Sequence, residues 1–514
     1  MSTDNENLTS QQWLERGNFL TQKHNVIEAI SCYSNAISLD GTIFEAHRKR
    51  GLLYIIQGNF EEALADFKFL VEVKPLDDEA HGNLGIIFSR LQRPAEAEIE
   101  YRKSIELNPS NFSSHLNLGA LLQEFNQTKE AMSSFEKAIE LNPSSDVAYS
   151  NLGALFSRLK NFIEAEANYR KAIKLDAASE DAYWNLGMLL GNDTLKRYDE
   201  AESAFRKALD LNPSSDRNLI SLGYLLYTTK RYEESETIFR KAIELKPDNE
   251  QAYYQLGRML FEIRHINEAE AALNNAIKIN PSNTNAYIVL GAVLQTKRRI
   301  KDAETAFRKA VELEPLNAMA VYNLGYLLDE DRALYDDAET AYRRAIELNP
   351  TFVDAYFNLG NVLFYELQRL DEAETAFHKV IELNPSRYDA YTNLGSLLDA
   401  MGRYAEARDA YHKSIELNPL NYTAYFNLGN LLSKTAMGRY NEAESAYRKS
   451  IEINPQYDAP YHNLGILLEK DKNRHDEAAA AYSKAIQLNP KNADIHMKLF
   501  VLFNRIKRFF HNKH

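Results

Sequence analysis

Residues 117–150 read NLGALLQEFNQTKEAMSSFEKAIELNPSSDVAYS, and at Asn151 the phrase NLGAL begins again. Around the next glycine, Gly153, stand Tyr149 four residues before, Leu152 one before and Phe156 three after. Offsets of i, i+3 and i+7 mark one face of an α-helix. A second apolar set, Ala131, Phe135 and Ala138, is spaced four and three and predicts a second helix within the same phrase. Pro143 closes that helix, since proline has no amide hydrogen and clashes with the preceding turn. The phrase is a helical hairpin.

The glycine recurs as Gly17, Gly51, Gly85, Gly119, Gly153, Gly187, Gly223, Gly257, Gly291, Gly325, Gly360, Gly395, Gly429 and Gly465. The intervals are 34 or 35 residues except for two of 36. Twelve of the fourteen prolines sit at the one stop, from Pro75 and Pro109 to Pro490, with Gly41 and Ala177 replacing it in two repeats. Ser or Asn often follows and is suited to cap the next helix. A mid-helix glycine costs about 1 kcal/mol relative to alanine, so its recurrence implies close approach of a neighbouring helix. Such units bury a core only against one another. The sequence therefore predicts an all-α solenoid of about fourteen hairpins over residues 10–490. Residues 1–9 are expected to form a disordered tail, and 491–514 a capping helix with a basic tail.

Leu-Gly in the first helix, Ala-aromatic-Ala in the second, and the closing Pro resemble the tetratricopeptide-repeat family. The resemblance covers nearly the whole chain and recurs in register. It implies a right-handed superhelix with the first helices lining the concave side. It also implies a protein-binding scaffold.

Composition narrows the function. The chain has 60 basic and 73 acidic residues, a net charge of −13, which argues against nucleic acid as the main partner. Cys32 is the sole cysteine, so no disulfide framework exists and a reducing, cytoplasmic setting is expected. The first residues are polar and lack an apolar signal, and no apolar stretch reaches membrane-spanning length. No HExxH, paired CxxC, phosphate-binding glycine loop or nucleophile elbow occurs. No catalytic residue, metal or cofactor is predicted, and the chain is read as non-enzymatic. His81 and His115 replace a packing tyrosine, and the DEAE and EAE runs read as solvated faces paired with Arg or Lys.

The informative positions flank the glycine on the first helix. Two residues before it asparagine recurs as Asn83, Asn117, Asn151, Asn185, Asn323, Asn358, Asn393, Asn427 and Asn463. The resemblance places this row in the groove. A side-chain amide matches a peptide bond in donors and acceptors, so the row suits an extended chain held by its backbone. It resembles the asparagine ladder in the repeat part of O-linked N-acetylglucosamine transferase. Where the row lapses, aromatics crowd the same face: Trp184, Tyr224, Tyr227, Tyr254, Phe261, Tyr322, Tyr326 and Phe357, joined by Ile220, Ile288, Arg217 and Arg258. Rings at this spacing serve either ligand contact or packing between adjacent first helices.

Two groups of partners remain open: a protein or peptide bound by a stand-alone adaptor, or substrates recruited for a glycosyltransferase or other enzyme carried on a separate chain. The family's two-carboxylate clamp for heat-shock chaperone tails is absent. Asn18, Asn361 and Asn430 supply its asparagine, but Leu14, Phe357 and Phe426 stand where it needs lysine. Repeats following Gly187, Gly325, Gly360, Gly429 and Gly465 carry one or two extra residues, all expected between the two helices. They are either drift at a tolerant turn or a second contact edge. The final segment, NADIHMKLFVLFNRIKRFF, puts Phe500 at the glycine position and turns basic, as a cap or as a contact for an acidic partner or membrane surface.

Overall fold

Every hairpin but one is set by an aromatic ring lying against bare backbone; at Gly257 the ring is replaced by Leu273. In the computed structural model, which describes residues 8–330, 334–434, 437–471, 474–491 and 496–502, a Cβ added to Gly85 would lie 2.5 Å from the Tyr101 ring. On Gly119 it would lie 2.7 Å from Phe135, and on Gly291 2.5 Å from Phe307. The close approach implied by the recurring glycine is therefore internal to the hairpin, second helix onto first. Flanking alanines such as Ala131 and Ala138 are fully buried, which brings the two helices together along their length.

Among the described residues twenty-eight helices pair into fourteen hairpins, from Ser10–Gln22 with Val26–Leu39 to Asp458–Leu468 with His475–Leu488, and there is no strand. Many first helices open on an Asp, Asn or Ser whose side chain accepts an early amide, as in Asp77 to Ala80, Asn111 to Ser114 and Ser145 to Ala148, which satisfies donors the helix cannot. Second helices end at an extended residue before the proline, Asn108 at φ −139° and Asn142 at φ −137°, because proline disfavours helical backbone ahead of it. Within most hairpins one residue turns left-handed, glycine at Gly58 and Gly402 but Lys160, Lys230, Arg264 and Arg298 elsewhere. The amide after it returns to the first helix, as Arg231 N to Leu226 O at 2.8 Å, the closure typical of a helix C-terminus.

The chain divides into two compact units, residues 1–255 and 256–514. Unit one is cored by Tyr33, Phe67, Tyr101, Phe135, Tyr169, Phe205 and Phe239, and unit two by Phe307, Tyr342, Phe377, Tyr411, Tyr447 and Tyr482, all buried.

On the outer side, arginines that open second helices join each helix to its predecessor. Arg197 bonds Glu166 at 2.6 Å and Glu200 at 2.7 Å. Arg403 holds Glu374 and Glu406 at 2.7 and 2.6 Å, and Arg474 holds Glu444 and Glu477 at 2.6 and 2.9 Å. Hydrogen bonds from Arg474 hold the Glu477 carboxyl down to about 2. The acidic runs are thus structural ties.

The extra residues are not all in loops. After Gly187 the first helix stops at Leu190 and a loop runs to Arg197. After Gly360, however, the extra residue is absorbed in a π-turn, Val362–Glu366, where Leu367 N bonds Val362 O at 2.9 Å. This corrects the expectation that every insertion falls between the helices. The wider turn widens the helix instead of lengthening the loop, and a Cβ added to Gly360 would still lie 2.7 Å from its ring, Phe377. Residues 496–502 are helical, with Leu502 buried and Phe500 exposed. Residues 1–7 and 503–514, which hold most of the expected N-terminal tail and the basic tail, lie outside the described residues.

If ring contact is what demands glycine, the demand should follow the distance. Gly291→Ala should destabilise by about 1–3 kcal/mol, the usual cost of overpacking. Gly325 is less crowded, its added Cβ lying 3.0 Å from Ala341 and 3.2 Å from Tyr342. There the loss should be smaller, offset by alanine's better helix propensity of about 1 kcal/mol. Denaturant melts of the two variants test this; equal losses would show that something other than the ring selects glycine.

Candidate functional site

Beside the Leu-Gly stripe, first helices carry side chains that reach the neighbouring first helix. In unit one Asn185 Nδ2 donates to Ser150 Oγ at 3.2 Å. Trp184 Nε1 donates to Ser221 Oγ at 2.9 Å, and the Arg217 guanidinium lies 4.4 Å above the Trp184 ring while pairing with Asp181 at 2.6 Å. Asn83 folds back onto its own helix, to Glu79 O at 2.8 Å. Asn117 and Asn151 are half-buried, and their side-chain amides make no hydrogen bond within the described residues. Tyr254 is half-buried and Tyr224 is 44% exposed.

In unit two the asparagine row forms a regular series. Asn358 donates to Tyr322 Oη at 3.0 Å, Asn393 to Asn361 Oδ1 at 2.8 Å, Asn427 to Ser396 Oγ at 3.2 Å and Asn463 to Asn430 Oδ1 at 2.7 Å. Each partner belongs to the preceding first helix. Asn323 instead bonds its own helix at Met319 O, 2.8 Å. Tyr322 packs on Phe352 at 4.8 Å, and burial pushes its hydroxyl up to about 12. Phe357 lies under Arg387 at 4.1 Å, and that arginine pairs with Asp354 at 2.6 Å. Arg258 and Phe261 are half-buried and Tyr326 is exposed. Of the predicted aromatics, then, Trp184, Tyr322 and Phe357 contribute to packing, while Tyr224 and Tyr326 present surface.

One feature lay beyond the residue-by-residue reading. Beside Tyr224 a cavity of about 370 Å³ is lined by Met188, Gly191, Asn192, Asp193, Ile220, Ser221, Leu225 and Gln255. It lies where the helix Glu180–Leu190 ends early and the chain turns out through Gly191 to Asp193. The visible signal was the two-residue insertion between Leu190 and Arg197, in a stretch that opens on Gly191. A broader depression of about 630 Å³ over the helix Tyr198–Leu211 is walled by Arg170, Glu200, Glu202 and Arg206, members of the outer ion pairs. No group of three or more His, Cys, Asp or Glu among the described residues could hold a metal ion, and no described helix is long and apolar enough to cross a membrane.

Comparison with known proteins agrees with this architecture. Models described as "Tetratricopeptide repeat" match residues 48–112, 289–334, 363–411 and 392–458, and, for a second such model, 100–132 and 134–167. One described as "TPR repeat" matches 335–364 and 467–499, and "Anaphase-promoting complex, cyclosome, subunit 3" matches 194–276. No curated protein matches the chain in sequence. Among solved structures it is similar to "Crystal structure of APC/C hetero-tetramer Cut9-Hcn1", with 16% identity, 90% of this chain and 96% of that chain covered, and a TM-score of 0.47.

A carboxylate on this face carries a pH signature. Asp329 is pushed up to about 6, first by burial and then by Glu330, although Tyr342 Oη donates to it at 3.3 Å. The corresponding Asp399 pairs with Lys434 at 2.5 Å. A carboxyl raised above its ordinary 3.8 binds its proton more tightly in the folded state. Its ionisation therefore costs stability as pH rises from that value through about 6. Asp329→Asn should melt higher than the parent at pH 8, with the gap closing by pH 3.5. A gap independent of pH would show that the charge is not the cause.

Proposed function

Because the chain belongs to the tetratricopeptide-repeat family, we propose that it is a non-enzymatic, cytoplasmic interaction scaffold that holds an extended peptide or partner segment along its first-helix face. The observation that carries this reading is the asparagine row. In unit two, four successive amides are pinned by a hydrogen bond from Nδ2 to the preceding helix. An amide so oriented still has a second N–H and its carbonyl oxygen for a ligand. Fixing the side chain beforehand lowers the entropy lost on binding. In unit one, Asn117 and Asn151 have both ends unengaged within the described residues. Backbone capture of this kind tolerates many sequences, and rings such as Tyr224 and Tyr326 would select among them. The same row, through its likeness to the glycosyltransferase ladder, supports the alternative of a substrate-recruiting module for an enzyme on another chain.

Affinity capture with the full chain, followed by titration of the recovered partner, tests the reading. Asn117→Ala and Asn151→Ala should each weaken binding roughly fivefold, about 1 kcal/mol per hydrogen bond, at unchanged melting temperature. Asn393→Ala, Asn427→Ala and Asn463→Ala should weaken binding and also lower the melting temperature slightly, because each removes a tie between helices. Unaltered affinity in all five variants would remove this face as the binding surface.

A further inference from the structure

We propose that the cavity beside Tyr224 is an anchor site for one long basic side chain, arginine ahead of lysine, of a peptide lying on unit one; this rests on the peptide-binding reading above. The walls offer apolar surface, Met188, 48% exposed at the mouth, with Ile220 and Leu225, beside the polar Asn192, Ser221 and Gln255. At the rim stands Asp193, an exposed carboxylate with no hydrogen bond or ion pair within the described residues. A volume of about 370 Å³ admits one large side chain. An aliphatic or aromatic one would satisfy the walls and leave the carboxylate unused. Arginine satisfies both, burying its methylenes along the walls while the guanidinium stays at the wet rim.

The molecule already builds this arrangement from its own side chains. Nearby, Arg217 of the following hairpin covers the Trp184 ring and pairs with Asp181 at 2.6 Å. In unit two Arg387 covers Phe357 and pairs with Asp354 at 2.6 Å, and Lys434 lies over Tyr404 while pairing with Asp399 at 2.5 Å. Around Asp193 the ring and the acid are present and the acid lacks a cation. The chain's net charge of −13 adds a long-range preference for a basic partner.

A random dodecapeptide display library selected on the full chain provides the probe. The expected result is enrichment of arginine, then lysine, at one position. Asp193→Asn should weaken the selected peptides about fivefold and Asp193→Lys more than tenfold, and neither change should affect a peptide whose arginine is replaced by norleucine. Asp193 is exposed, so both variants are expected to fold, and circular dichroism checks this. Peptides that bind through an apolar residue, indifferent to Asp193 but weakened by Asn117→Ala and Asn151→Ala, would overturn the basic anchor and leave the peptide groove standing. Failure to select any peptide, or binding indifferent to all of these substitutions, would overturn both.

Discussion

The contact on which everything else depends is that of an aromatic ring with a helix that has no side chain beneath it. A hydrogen at Gly119 lets Phe135 lie on the backbone, and the same replacement recurs with Tyr, Phe or, at Gly257, Leu273. The local helix is weakened by glycine, yet the hairpin gains a buried ring and interhelical closeness that lets alanines meet alanines. Because the ring belongs to the second helix and the glycine to the first, one contact fixes the crossing of the two. That crossing determines which positions of the first helix are left for a neighbour: the residues one, two and three away from the glycine stripe.

This explains how much could be read from the chain. Glycine, ring and proline are local signals, so the hairpins from Gly17 to Gly465 were legible, as was the role of Asn111 or Ser145 as a cap. The fate of an extra residue was not. Counting finds an insertion after both Gly187 and Gly360, but whether it opens a loop or a π-turn depends on how the ring of the following helix finds its glycine, which involves contacts across the insertion itself.

The face beside the stripe was legible in position and not in bonding. That Asn393 and Asn427 share a row follows from the repeat. That one bonds Asn361 and the other Ser396 depends on residues more than thirty positions away. The aromatic group divided in the same way: Trp184 and Phe357 are held under arginines, a pairing that sequence spacing does not show, whereas Tyr224 borders a cavity that opens where its neighbouring first helix stops at Leu190. Outer-face charges were simpler, because arginine three residues before a glutamate on one helix is a short-range pattern.

The asparagines of unit two stand 35, 34 and 36 residues apart in the chain, at Asn358, Asn393, Asn427 and Asn463. Yet each spans to the helix before it by one hydrogen bond of 2.7 to 3.2 Å. Irregularity in the count of residues does not break these ties, since each of the four amides still reaches the first helix before it. A polymer laid on them would meet a comb whose teeth are already fixed at the root, whatever the length of the repeat between one tooth and the next.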